Sequence, residues 1–226
     1  MIKIILVITT LSLSFVGCKT DKTTTANHLI FRYNESANIS SLDPAFSKNQ
    51  ANIWAVNQIF NGLVQLNDSL QIKPDLAKNW SISADALTYR FIIRDDIYFH
   101  KHIGFGTDST RKVKASDVTY SLNRLLDPNV ASPGGWILQN VTNIETVNDS
   151  VMQIKLQKPF PAFLGLLSMK YASVVPKEII ENPNIDFRTN PIGTGPFKFK
   201  IWEENVKLVL RKNPIYHEKN KSGEQL

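Results

Sequence analysis

The stretch Asn190–Phe199, NPIGTGPFKF, constrains this chain more than any other: two glycines stand one residue apart between two prolines, ahead of a run that alternates apolar and polar residues. Gly193-Thr194-Gly195 has two readings, a phosphate cradle or a joint at which the backbone turns sharply. A phosphate loop needs a helix N-terminus behind it, with N–H groups aimed at the anion, and a Lys-Ser/Thr pair or a third glycine. None of these follows. Phe197-Lys198-Phe199-Lys200-Ile201-Trp202 has the period of a strand with one buried face, Glu203-Glu204-Asn205 breaks it, and residues 206–211 resume it. The expectation is a β-hairpin opened by the glycines, which allow positive φ or the close approach of another backbone, while the prolines fix φ.

Upstream, residues 28–34 (HLIFRYN) read as an opening strand, closed by the turn Ser41-Leu42-Asp43-Pro44. Ile53, Val56, Ile59 and Phe60 recur at helical spacing over residues 49–60, and Asn61-Gly62 stops that helix. Short strands follow from Leu63, clearest at residues 89–94 and in the pair 144–147 and 152–156 across Asn148-Asp149-Ser150. One amphipathic helix interrupts them, with Ser116 as N-cap, Asp117 in the first turn, Val118, Leu122, Leu125 and Leu126 on one face, and Asp127-Pro128 as its end. Residues 160–167 and 177–180 are expected as short helices. The chain is mixed α/β, without internal repeats.

The first residues, MIKIILVITTLSLSFVGCKTDK, run apolar after Lys3 and stop at Gly17-Cys18. The run is shorter than the roughly 20 residues a membrane-spanning helix needs and reads as a signal peptide over residues 1–17. A small residue followed by the chain's single cysteine resembles a bacterial lipoprotein processing site, with Cys18 lipidated and Phe15 in a place where an aliphatic residue is usual. The competing reading is an ordinary signal peptide with a chance cysteine. One cysteine excludes an intramolecular disulfide and a cysteine-based zinc site. Residues 18–27 are polar and aperiodic, as a flexible tether would be. A net charge of +6 spread along the chain, with no basic run interleaved with aromatics, gives no ground for nucleic acid as partner.

No catalytic residues emerge. There is no nucleophile elbow and no P-loop, and His217-Glu218 begins like H-E-x-x-H but meets Lys221 where the second zinc ligand would stand. His100-Lys101-His102 lacks acidic or further histidine neighbours to complete a coordination shell and reads as a loop after a strand, with His100 packing against Tyr98 or Phe99. Asp95-Asp96 and Glu203-Glu204 sit at strand ends, where carboxylates are ordinarily solvated. No metal and no cofactor are expected. Of Trp54, Trp80, Trp136 and Trp202, two or three are expected in the core; Trp54 stands apart, because other residues fill the apolar face of its helix.

Several stretches, in order, resemble one family, the family 5 extracellular solute-binding proteins of oligopeptide and dipeptide ABC importers. These are SLDPAF with QIFNGLV, then PDLAKNWSISADALTYRFIIRDDIYFH, then VKASDVTYSLNRLLDP, then NPIGTGPFKFKIWEENVKLVLRKNPIYH. Two departures stand out: the loop from His100 to Lys112 is longer than the family's His-Asp-Gly connection, and family members continue well beyond the position of Leu226. The resemblance implies an α/β, periplasmic-binding-protein-like fold (class II, cluster C type) in two lobes, with this chain stopping before the second major lobe. A first lobe would comprise residues 28–62 and 176–226, and an inserted, mainly β part residues 63–175. It implies no enzyme but a lipid-anchored monomer at the cell envelope, facing the periplasm or the outside. That protein would capture peptides, or another solute the family serves such as nickel, haem or sugars, and deliver them to ABC permease subunits. By the same matching, Lys48, Asn49, Gln50, Trp54 and Tyr216 are candidates for the ligand cleft, against surface-loop or core roles, and Gly193, Thr194, Gly195 and Pro196 form a loop beside it. A non-binding remnant or assembly lipoprotein is the alternative from another class.

Overall fold

Alternation sets the central sheet. In the computed structural model, which describes residues 29–220 and 222–224, β3 (Ala77–Ile82), β4 (Thr88–Ile93), β5 (Val141–Asn148) and β6 (Val151–Leu156) form one antiparallel sheet in the order β3-β4-β6-β5. Successive side chains of a strand point to opposite faces, so Tyr89, Phe91 and Ile93 of β4 and Met152, Ile154 and Leu156 of β6 all bury the same face. The register places Phe91 opposite Met152 and Ile144 opposite Ile154. Burying each such side chain contributes roughly 1.5–3 kcal/mol, and together they make the floor of the core. Before this sheet comes a short hairpin, β1 (Val64–Leu66) with β2 (Ile72–Pro74).

The floor is covered by α2 (Ala115–Leu126), which packs on β5 and β6 through Val118, Leu122 and Leu125. Two expectations need correction here. The N-cap is Lys114 and not Ser116, because the Asp117 carboxylate accepts the Lys114 N–H at 2.8 Å and sets the first turn two residues earlier. Leu126 is exposed, lying past the last turn that faces the sheet. The other helices fall where periodicity places them: α1 (Gln50–Ile59), α3 (Phe163–Leu167) and α4 (Lys177–Ile180).

The closing hairpin pairs β7 (Phe197–Glu203) with β8 (Lys207–Lys212), as the alternation requires. Residues Glu35–Leu226 make one unit, and Met1–Asn34 a separate one of which residues 29–34 are described. Those six residues form no strand, against expectation: a strand is held by a ladder of hydrogen bonds to a neighbouring strand, and residues 29–34 belong to none of the described sheets. The expected signal peptide, Cys18, the tether and His28 lie outside the described residues. Among the described residues no helix is long and apolar enough to cross a membrane.

Candidate functional site

The site builds upward from the turn before α1. Asp43 accepts the Ala45 N–H at 3.0 Å and starts the single turn Pro44–Phe46; the Arg124 guanidinium, reaching over from α2, grips its two carboxylate oxygens at 2.8 and 2.5 Å. Asn49 then caps α1 by accepting the Asn52 N–H at 2.9 Å. Asn52, fully buried, ties the segment from inside: its amide donates to Ser40 Oγ and the Phe46 carbonyl and accepts the Ser40 N–H. Every polar group of this buried side chain is thus used, which holds the loop in one conformation.

On that base Lys48, Asn49 and Gln50 are exposed, and Trp54, one helical turn beyond Gln50, is 43% exposed on the same face. Four of the five predicted cleft residues therefore share the N-terminal end of α1, one cation, two amides and an aromatic plate exposed on a rigid turn. Trp80 and Trp202 instead pack, half-buried, against the core, and Trp136 is exposed. A surface depression lined by His102, Ile103, Asn182, Ile185 and Asn190 includes none of the predicted residues.

The fifth, Tyr216, lies elsewhere. It is buried, its hydroxyl bonded to Asn61 and Glu218 and pushed up in pKa by burial. Asn61 follows the C-terminal end of α1, and a helix of ten residues is about 15 Å long, so Tyr216 and the exposed group occupy opposite ends of it. Around Tyr216 the polar side chains are dense. Asn61 Nδ2 donates to both oxygens of Asp75 at 3.0 and 3.1 Å, Thr194 Oγ1 donates to Asn61 Oδ1 at 2.9 Å, and Gln65 Nε2 donates to Glu218 Oε1 at 2.7 Å.

The glycine loop is a joint of the close-approach kind. Neither Gly193 nor Gly195 has positive φ; what the site needs is the missing side chain, since a Cβ on Gly193 would stand 2.2 Å from the Ile59 carbonyl oxygen and one on Gly195 2.5 Å from the Ile59 carbonyl carbon. The Gly195 N–H donates to the Ile59 carbonyl at 2.8 Å and its own carbonyl accepts from Asn213 Nδ2 at 3.0 Å. Pro196 is half-buried beside them.

His100, read from sequence as a loop residue against Tyr98 or Phe99, is buried in this joint. Its backbone N–H donates to the Gly193 carbonyl at 2.7 Å, its Nδ1 accepts the Gly193 N–H at 3.4 Å and its Nε2–H donates to the Gly195 carbonyl at 3.0 Å. A carbonyl only accepts, so the imidazole is neutral with its proton on Nε2. Burial pushes its pKa from 6.5 down to about 4, against the opposing pull of the Gly195 carbonyl. Both ring nitrogens are occupied, which leaves none for a metal. The second His of the triplet, His102, uses Nδ1 to accept the Gly104 N–H.

An ion-pair cluster that sequence spacing does not reveal braces the other side of α2. Arg111 bonds Asp117 at 2.7 Å through each of two nitrogens, also grips Glu178 of α4, and lies over the Phe99 ring at 5.0 Å.

Residues 71–224 match the model of the bacterial extracellular solute-binding proteins, family 5, middle part. The chain belongs to this family. Among curated relatives of this family 5 chain, a probable di/tripeptide-binding protein 5 of Pseudomonas aeruginosa is 33% identical over 164 residues, 64% of this chain and 30% of that protein. The glutathione-binding protein GsiB of Salmonella typhi is 24% identical over 176 residues, covering 78% of this chain and 33% of its own. Among solved structures, DppA of Helicobacter pylori in complex with the peptide STSA superposes with a TM-score of 0.72 at 30% identity, covering 80% of this chain and 38% of that one. NikZ of Campylobacter jejuni in complex with Ni(L-His) gives 0.70 at 33% identity, over 82% and 35%. The fold is thus the α/β fold of family 5 periplasmic binding proteins, and the chain spans about a third of the length of the curated relatives it matches.

Proposed function

We propose that the protein is the solute receptor of an ABC importer, a monomeric lipoprotein held at the bacterial cell envelope through Cys18, which captures peptides or a similar small solute and hands them to a membrane permease. In this reading residues 28–62 and 176–226 contribute to one lobe, residues 63–175 form the inserted part, and the Gly193–Pro196 loop is the fixed wall beside the cleft. The mechanism is capture and closure without chemistry: a ligand shifts the protein toward a closed state by its preference for that state.

The observation that carries the reading is the N-terminal end of α1, where Lys48, Asn49, Gln50 and Trp54 are exposed on a turn fixed by the buried Asn52 and the Arg124–Asp43 pair. Donors and acceptors of that kind suit a peptide main chain, and an indole suits its side chains. Titration calorimetry with a mixture of di- to tetrapeptides, on the protein and on Trp54→Ala, tests it. Loss of this side chain is expected to weaken binding about tenfold with an unchanged unfolding midpoint, because the residue lies outside the core. A protein that takes up no peptide, and whose native size in the producing cell corresponds to 226 residues, would overturn the reading in favour of an assembly lipoprotein.

A further inference from the structure

Among the described residues, His217 is the one histidine whose ring the packing leaves unexplained. Its side chain is only 2% exposed, yet neither Nδ1 nor Nε2 makes a hydrogen bond. Buried ring nitrogens are ordinarily satisfied. The nearest partner is Asp75, itself 1% exposed, whose Oδ1 stands 3.5 Å from Nε2, too far for a good hydrogen bond. Glu218 completes a group in which one ligand atom from each of Asp75, His217 and Glu218 lies within 4.8 Å of the others.

We propose that Asp75, His217 and Glu218 bind a divalent transition ion of the zinc type. Two ligand atoms that each sit about 2.0–2.1 Å from a tetrahedral ion are about 3.3 Å apart, which is close to the His217–Asp75 separation and explains a gap that an ion pair would close. One imidazole with two carboxylates suits zinc and its neighbours in the first transition row; calcium and magnesium prefer oxygen alone. Both carboxylates are already oriented from behind, as ligands of a metal commonly are: Asn61 donates to the two oxygens of Asp75, and Gln65 donates to Glu218. Glu218 is half-buried, so the fourth position opens toward solvent for a water or a small anion. Arg94 and Lys170 are close enough to attract Asp75. Arg94 is itself paired with Asp96 at 2.7 Å, so its charge is already shared and the group is left short of neutral.

Sequence reading dismissed this site because Lys221 replaces the second histidine of H-E-x-x-H; the fold supplies the third ligand from the turn before β3 instead. An ion there would staple the segment carrying His217 and Glu218 to the β2–β3 turn, beside the bond that already joins Gln65 of β1 to Glu218 across 153 residues. The inference does not depend on the importer reading.

The test uses the full chain after chelator treatment, with Zn²⁺ alone as probe, titrated in competition with a chromophoric chelator and followed in parallel by thermal unfolding. One zinc per chain is expected, with a rise in the unfolding midpoint, no response to Ca²⁺, at least a tenfold loss of affinity in His217→Gln and Glu218→Gln, and none in His102→Gln. Gln65→Ala, at a half-buried position behind the ligand, should weaken binding about tenfold. It also decides the matter if His217→Gln does not fold. Absence of stoichiometric zinc, a calcium response in its place, or equal binding by the Glu218 and Gln65 variants would overturn the proposal.

Discussion

Acid should act on this fold through His100 before it acts on any carboxylate. The perturbation is a fall from pH 7 to pH 4.5, set against the variant His100→Gln, whose amide can donate to the Gly195 carbonyl and accept the Gly193 N–H without titrating. In the folded chain the pKa lies near 4, from an ordinary 6.5, because the ring is sealed from water and its Nδ1 already faces an N–H donor. A second ring proton would put two donors face to face. The direction follows from linkage: the pKa is depressed on folding, so the stability held by the neutral ring is complete above pH 6.5 and is lost as the pH falls toward the folded value. At about 1.36 kcal/mol per pH unit, the whole window is worth roughly 3 kcal/mol, a large part of the total for a domain of this size. Urea unfolding at half-unit pH intervals should show the wild-type chain losing stability steadily between pH 6.5 and 4.5, while His100→Gln keeps only the smaller loss from His102, whose pKa burial also lowers. Carboxylates held low by partners, such as Asp96 by its bond to Arg94, take over only below that window. Parallel curves for the two proteins would refute the placement of a neutral imidazole in the joint.

Gly193→Ala should be the most damaging methyl group that can be added to the glycine joint, since its Cβ would stand 2.2 Å from the Ile59 carbonyl oxygen. It should lower stability by about 3 kcal/mol or more, measured by the urea midpoint, and a change under 0.5 kcal/mol would show that the joint yields. Arg124→Leu leaves Asp43, whose side chain is 5% exposed, charged and unpaired; a loss of about 3–5 kcal/mol is expected, with Arg124→Leu/Asp43→Asn recovering most of it in a double-mutant cycle. Failure of the second change to rescue would mean that the pair is incidental to the α1 turn.

Much of this architecture was legible in the order of residues. Apolar spacing located α1, α2 and the two late hairpins, because each buries one face against a single neighbour and so carries its own period. The glycine pair was legible as a joint, but which of its two uses applied was not, since positive φ and close approach leave the same letter. Residues 28–34 look like a strand because β-branched and aromatic residues favour extended chain, and composition says nothing of whether a partner exists. The polar site was the least visible part. Asp75 and His217 belong to separate motifs, the Arg124–Asp43 pair spans 81 positions, and only folding makes such residues neighbours. The exposure of Trp54 follows by subtraction, as that of the apolar residue left over once the buried face of its helix is filled.

The end of α1 also sets a timetable. Ile59 and Asn61 receive Gly195, Thr194 and Val174, so the first helix of the unit has no finished neighbours until a segment 133 residues later has been made. At 5–20 residues per second the ribosome needs roughly 7–27 seconds to deliver it, far longer than a helix or hairpin takes to form. Throughout that interval the early part of the chain stays open and its apolar faces uncovered. Such a nascent chain stays unlocked at α1 until the glycine joint arrives.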